Sequence, residues 1–217
     1  MNLDGLDAVI FDFDGVLVES VDVKTRAFAA LYVDHGDEVV EAIEDYHLRH
    51  GGASRFDKFR YFQTEILGGP PLTEHEVAEL AAKFSTLVVN QVVAAPMVAG
   101  AQQFLDDCRG RLDLFVVSGT PTAELELIIR RRKLTPYFSG IWGSPESKAE
   151  NMATLLCEHD LSANRCVMVG DALADRVGAA ANAVAFLGRV PGDADNPFSG
   201  DITTFTDFTD LPEHWKS

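Results

Sequence analysis

Asp12 and Asp14 are the residues whose type and spacing first point to chemistry. These two carboxylates follow the apolar run Val9-Ile10-Phe11 and precede Gly15. In an extended chain residues two apart share a face, so both would emerge together where a buried strand ends. In open parallel α/β sheets, ligands bind at that end. Carboxylates this close repel, and a cation or a shared proton relieves the cost. Mg2+ suits the task because it takes carboxylate and carbonyl oxygens and keeps positions open for water and phosphate. On its own, Asp-Phe-Asp-Gly reads equally well as a turn after a strand, with exposed aspartates.

Further candidates follow along the chain. Ser118-Gly119-Thr120 comes after Phe115-Val116-Val117, where a hydroxyl and two amides could cradle phosphate. Ser118 could also serve as the N-cap of a helix beginning near Pro121. Lys148 stands at an expected helix start, an unfavourable place for a cation unless something anionic holds it there. Asp171 ends an expected strand and Asp175 lies in the first turn of the next helix, where the dipole alone would favour an acid. Residues 47–60, HLRHGGASRFDKFR, gather Arg49, Arg55, Lys58, Arg60 and two histidines around Gly51-Gly52 in an otherwise acidic chain. A helix start flanked by cations can receive a carboxylate or a second phosphate, although a solvated charged face has the same composition.

Taken together, these segments resemble the haloacid dehalogenase-like hydrolases. Asp12-Phe13-Asp14-Gly15-Val16-Leu17 is similar to the family's first motif, and Ser118-Gly119-Thr120, Lys148, and Gly170-Asp171 with Asp175 follow in the family's order. The resemblance implies that Asp12 is a nucleophile forming an aspartyl phosphate and that Asp14 is the general acid/base. It implies that Ser118 and Lys148 bind the phosphoryl group. It also implies that Asp171 holds Mg2+ with the Asp12 carboxylate and the Asp14 backbone carbonyl, with Asp175 supporting or joining them. Gly51, Ser54 and Arg55 resemble the substrate-recognition loop of the subfamily with a helical cap, whose closure would bring Arg55 over the leaving group. Lys24 is a further residue that could reach the site from the cap hinge.

The elements that must position these residues alternate strand and helix, with one exception. Residues 21–94 read as helices only: one carrying Phe28, Leu31 and Tyr32, a second at 37–50 with Val40, Ile43 and His47 on one face, a third opened by Ser54 with Asp57 as a capping box, and a fourth opened by Thr73 with Glu76. The rest predicts a helix at 100–110, a strand at 112–117, a helix at 121–134, a strand at 141–142, a helix capped by Ser147 and Glu150, and strands at 166–169 and 183–187. The expected fold is α/β, a doubly wound parallel sheet with a Rossmann-like core over 1–20 and 95–217 and an inserted helical cap over 21–94. The loop 188–201 could border the site, and 203–217 carries no clear pattern.

Composition narrows the partners. The chain has 217 residues, 47% of them apolar, and a formal net charge of −16. That content supports a full core, and that charge disfavours nucleic acid and anionic membrane surfaces. Three widely spaced cysteines, Cys108, Cys157 and Cys166, sit in apolar contexts and read as reduced core residues. The acidic N-terminus does not read as a signal peptide and no apolar run reaches membrane-spanning length, so a cytoplasmic monomer or homodimer is expected.

The leading expectation is a Mg2+-dependent phosphatase of a small phosphorylated metabolite, a sugar phosphate or a phosphoglycolate-like acid. Dehalogenases and phosphonoacetaldehyde hydrolases of the superfamily lack the aspartate found here at Asp14. Sugar phosphomutases typically carry a histidine where this chain has Lys24, so that alternative is weaker. A non-catalytic regulator binding a phosphorylated ligand is a third reading, although no motif residue is missing. Glu19, where aspartate is commoner, and Gly119-Thr120, in a variable position, bear on substrate choice.

Overall fold

A computed structural model of the chain describes residues 3–192 and 194–211; positions 1, 2 and 212–217 of the expected core, and 193 of the 188–201 loop, lie outside the described residues. Six strands form one sheet: β1 (Ala8–Phe11), β2 (Asp113–Pro121), β3 (Gly140–Ser144), β4 (Cys166–Gly170), β5 (Ala185–Arg189) and β6 (Thr204–Phe205). Every pairing is parallel and the order is β3-β2-β1-β4-β5-β6. The order reverses direction at β1, which lies between β2 and β4, and such a switch point opens a crevice at the carboxyl ends of the strands.

Strand parity builds two cores. Val9 and Phe11 of β1, with Leu114, Val116, Val167 and Val169, face one side; Ala8 and Ile10, with Phe115, Val117, Cys166 and Met168, face the other. On the first side lie Phe104 and Leu105 of α5 (Ala101–Cys108) and Leu125, Ile128 and Ile129 of α6 (Thr122–Arg131). Met152 and Leu155 of α7 (Lys148–Glu158) and Ala179 of α8 (Leu173–Ala181) cover the second. This is the expected doubly wound α/β architecture.

Residues 21–94 contain no strand and hold α1 (Val21–Tyr32), α2 (Asp37–Arg49), α3 (Arg55–Tyr61), a π-helical turn at Phe62–Ile66, and α4 (Glu74–Ala94). They pack around Phe28, whose ring lies 4.3 Å from Phe84, 5.5 Å from Phe62 and 5.7 Å from Phe59. Each of these buried rings contributes roughly 2 to 3 kcal/mol of transfer free energy. The Thr73–Glu76 capping box opens α4 as expected.

Several local expectations are corrected. Ser54 accepts the Phe56 amide, but Asp57 does not close a capping box; its carboxylate lies near Arg60 instead. Ser118 does not cap α6, because β2 runs on to Pro121, which occupies the cap position. The last strands differ too: β5 begins at Ala185 rather than 183, and β6 forms in the segment without a clear pattern. Cys157 is exposed, since α7 turns Met152 and Leu155 inward and leaves Cys157 on its outer face. Finally, α4 is long and apolar enough to cross a membrane by composition, with a mean hydropathy of 1.3 over 18 residues; its apolar side is spent on the helical block, where Val77, Ala81, Phe84, Val88 and Val92 are buried.

Candidate active site

β1 delivers Asp12 to the crevice. Its amide donates to the Val169 carbonyl at 2.9 Å, which ties it to β4, and its Oδ1 accepts the Phe13 amide at 2.7 Å. Lys148, the first residue of α7, is held by the Ser147–Glu150 capping box behind it. Its Nζ lies 3.0 Å from Asp12 Oδ2 and also donates to Asp175 Oδ1. Asp175 is fully buried, and its other oxygen accepts the Ala172 amide at 3.0 Å. Asp171 completes the group by lying against Gly15, where a Cβ would stand 2.1 Å from Asp171 Oδ2 and φ is +78°. Only glycine accommodates both conditions.

One carboxylate oxygen each from Asp12, Asp171 and Asp175 lies within 4.8 Å of the others, and Asp12 and Asp175 bind the Lys148 ammonium. Burial, and then the charges of Asp12 and Asp175, hold the Asp171 carboxyl well above the usual carboxylate range. Burial likewise pushes Asp175 up to about 6 against the pull of Lys148. Burial opposes the charge on Lys148, yet Asp12 and Asp175 outweigh it and raise its pKa. Asp12 and Asp175 share one lysine and Asp171 stands beside them, which leaves an excess of negative charge on hard oxygen donors and fits a divalent cation such as Mg2+. The expected repulsion therefore belongs to this trio, and the Asp14 carboxylate is not part of it.

Asp14 is held separately. It accepts hydrogen bonds from Ser20 at 2.6 Å, Lys24 at 2.5 Å and Thr120 at 3.0 Å, and Lys24 also donates to the Thr120 hydroxyl at 2.7 Å. Burial would raise its pKa, but Lys24 and the three hydrogen bonds bring it below the usual carboxylate value. The Thr120 side chain is thus spent on Asp14 rather than on phosphate. Behind this loop Arg189 donates to the Gly15 carbonyl at 2.7 Å and pairs with Glu19, fixing the turn after Asp14. Ser20 and Arg189 escape a motif-based reading, whereas Lys24 reaches the site from the start of α1 as expected.

The helical block touches this end of the sheet through residues 51–55. Gly51 packs on Ala172, and Gly52 against Lys148 and Ala172. A Cβ on Gly119 would stand 2.6 Å from the Gly52 carbonyl oxygen, so the two loops lie backbone to backbone. A cleft of about 340 Å3 opens beside this contact, lined by Gly52, Ser54, Ser118, Gly119, Ser147 and Lys148. Ser118, Gly119, Lys148, Gly51 and Ser54 are therefore brought together. Arg55 is not: its guanidinium lies over the Phe84 ring and binds Glu124 of α6 at 2.9 and 2.5 Å, with Ser85 at 3.0 Å. The expected approach of Arg55 to a leaving group is corrected to a buried ion pair between the helical block and the sheet's helices.

A model of the haloacid dehalogenase-like hydrolase family matches residues 6–183. The chain belongs to this family and is a hydrolytic enzyme. No match appears among curated proteins. Among solved structures, a mutant of CbbY from Rhodobacter sphaeroides in complex with xylulose-1,5-bisphosphate is 18% identical, with a TM-score of 0.74 over 94% of this chain and 95% of that one. A predicted phosphoglycolate phosphatase from Haemophilus somnus is 18% identical, with a TM-score of 0.70 over 94% and 96%. A haloacid dehalogenase-like family hydrolase from Streptococcus pneumoniae is 19% identical, with a TM-score of 0.68 over 92% and 94%. At these identities the likeness concerns the fold.

Proposed function

We propose that the protein is a Mg2+-dependent phosphatase of small phosphorylated metabolites, with Asp12 as nucleophile and residues 21–94 acting as a cap over the core at 1–20 and 95–217. The observation that carries this reading is Lys148 bridging Asp12 and Asp175 at the edge of the Ser118–Gly119 cleft. Phosphoryl transfer asks for positioning and for positive charge around the transferred oxygens more than for covalent work by many groups. Asp12 Oδ1 is engaged by the Phe13 amide and Oδ2 by Lys148, which orients the carboxylate for attack. Lys148 and the amides of Gly119 and Thr120 would receive the phosphoryl oxygens.

Asp12 and Asp171, with the Asp14 backbone carbonyl, would hold Mg2+, and Asp175 would keep Lys148 and the Ala172 turn in place. The bound cation would neutralise charge on the transferring group. Attack of Asp12 on phosphorus breaks the ester bond, and the leaving alkoxide takes a proton from the Asp14–Lys24 pair. Asp14 as a carboxylate, the form its hydrogen bonds favour, then accepts a proton from the water that cleaves the aspartyl phosphate. A phosphoglycolate phosphatase-like protein and a bisphosphate-bound protein among the structural relatives agree with a small phosphorylated substrate.

Hydrolysis of an aryl phosphate by the purified protein, with and without Mg2+, tests the proposal. Metal-dependent release of inorganic phosphate that is lost in Asp12→Asn is the expected result; turnover by Asp12→Asn equal to that of the wild type would overturn it. Release of free phosphate also separates hydrolysis from transfer within a sugar phosphate.

A further inference from the structure

Gly15 follows the Asp14 carbonyl in the chain and packs against the Asp171 carboxylate, so it touches two proposed Mg2+ ligands. A Cβ there would stand 2.1 Å from Asp171 Oδ2, and the φ of +78° is one that glycine adopts freely. Glycine meets both demands but brings no side chain to restrict its own rotation. The peptide that carries the Asp14 carbonyl is therefore joined to a residue that cannot hold itself still.

Hydrogen bonds from outside supply the restraint. The Gly15 amide donates to the Val18 carbonyl at 2.8 Å. In a trans peptide the N–H and C=O point opposite ways, so this bond also sets the direction of the Asp14 carbonyl. On its other side, the Gly15 carbonyl accepts from Arg189 Nη1 at 2.7 Å. Arg189 ends β5 and is 4% exposed. Its remaining donors are all engaged nearby: Nε gives to the Thr206 carbonyl at 3.0 Å, and the two terminal nitrogens meet Glu19 at 2.6 and 3.1 Å. A planar fork held at these points leaves Nη1 one direction in which to reach Gly15. Thr206 follows β6 at the edge of the sheet, and Glu19 lies where the chain leaves the core, its amide donating to the Pro96 carbonyl at 3.0 Å. One side chain thus ties the sheet edge and the exit from the core to the turn after Asp14.

We infer that Arg189, braced by Glu19, is a positioning residue for this turn: it holds the Asp14–Gly15 peptide in place and so sets the affinity of the site for its divalent cation. The inference rests on the proposed Mg2+-dependent reading of Asp12, Asp14 and Asp171. Arg189 is no ligand itself, since its ion pair among the described residues is with Glu19. Groups that orient a metal's ligands typically carry about 10- to 100-fold in affinity.

Mn2+ tests it, because this cation shares the preference for carboxylate and carbonyl oxygens and its free form is counted by electron-spin resonance. The wild type should bind Mn2+ in competition with Mg2+. In Arg189→Met, shown to be folded by its thermal transition, the Mn2+ Kd should rise roughly tenfold or more. Glu19→Ala, at a half-exposed position, should raise it by a smaller factor, and an unchanged Kd in that variant overturns the inference if Arg189→Met does not fold. Arg132→Met is the control. It removes another arginine that holds backbone, at the carbonyls of Val92, Val93 and Ala95, and should leave the Mn2+ Kd at the wild-type value. A loss confined to the Arg189 and Glu19 variants upholds the inference. An unchanged Kd in Arg189→Met, or an equal loss in Arg132→Met, overturns it, while Mn2+ binding and metal-dependent phosphate release by the wild type leave the phosphatase reading standing. No binding of Mn2+ by the wild type would overturn both.

Discussion

The two basic constellations of this protein are built on opposite principles. At the sheet end, each lysine has an acid that answers it: Lys148 binds Asp12 and Asp175, and Lys24 binds Asp14. In the helical block, Arg55 is answered by Glu124, but Lys58 meets only the neutral ring of His47. The first arrangement is complete without substrate, so its geometry is organised before anything binds. In the second, Lys58 has no ion-pair partner among the described residues. Charge is thus balanced in pairs on strand ends and helix starts, where the proposed chemistry lies, while the helical block buries a cation against a neutral ring.

The largest effects should come from the preassembled side. Asp12→Asn is expected to lower turnover of an aryl phosphate by roughly 10^4-fold or more, as loss of a nucleophile does. Asp14→Asn should cost roughly 10^2- to 10^4-fold, the range of general acid–base catalysis. Single-turnover phosphate release measures both. If Lys58→Met cost as much on the same substrate, the proposed confinement of the chemistry to the sheet end would be wrong.

Next in size is the ion pair that joins the two regions. Arg55 and Glu124 are both nearly buried, so Glu124→Gln strands a charge and should destabilise the fold by roughly 3 kcal/mol in denaturant titrations. A loss within a few tenths of a kcal/mol would show that the pair is not what holds the helical block to α6. Replacing both partners by apolar residues should recover much of the loss, because no charge is then left stranded.

The missing counter-charge has a pH signature. The Lys58 pKa stands at about 7 in the fold, against an ordinary lysine value of 10.5. The groups acting on it are His47 on α2, Lys24 on α1, Lys148 on α7 and Asp171 beyond β4. Below about pH 7 folded and unfolded chains both carry the proton and the burial penalty is present in full. From pH 7 to 10 the unfolded chain holds more protons, so stability rises with pH on this account. Wild type should therefore gain roughly 2 kcal/mol over Lys58→Met between pH 7 and 9, measured by chemical denaturation. A constant difference would show that Lys58 already has the counter-charge denied to it here.

How much of this was legible in the sequence follows from the range of the interactions. The apolar runs Val9–Phe11 and Cys166–Val169 were readable as buried strands, because an unbroken apolar run is a local property of the chain. The Thr73–Glu76 and Ser147–Glu150 boxes were readable because both partners lie within one turn; Ser54–Asp57 misled because Asp57 lies beside Arg60 rather than on the Ser54 amide. Arg55 looked free because Glu124 lies 69 positions away. Lys58 looked like one more surface cation because burial is set by Phe28 and His47, on helices whose packing no spacing reports. The Thr120 hydroxyl was not legible as a partner of Asp14, because the two lie 106 positions apart.

The smallest predicted effects sharpen the comparison most, since they apply the same perturbation to both regions. Ser147 and Thr73 open helices with the same capping box, one in front of Lys148 and one in front of α4. Ser147→Ala and Thr73→Ala should each cost about 1 kcal/mol of stability. Only the first helix start carries a group of the proposed reaction: Lys148 is the first helical residue after Ser147, with Nζ 3.0 Å from Asp12. Loosening that turn should lower kcat by roughly tenfold, because displacing a positioned group by a fraction of an ångström weakens every charge it faces. Thr73→Ala leaves Asp12, Lys148 and Lys58 where they are, so kcat should stay at the wild-type value. Equal stability losses with kcat unchanged in both would mean that Asp12 and Asp175 alone hold Lys148, and that the helix start contributes stability without contributing position.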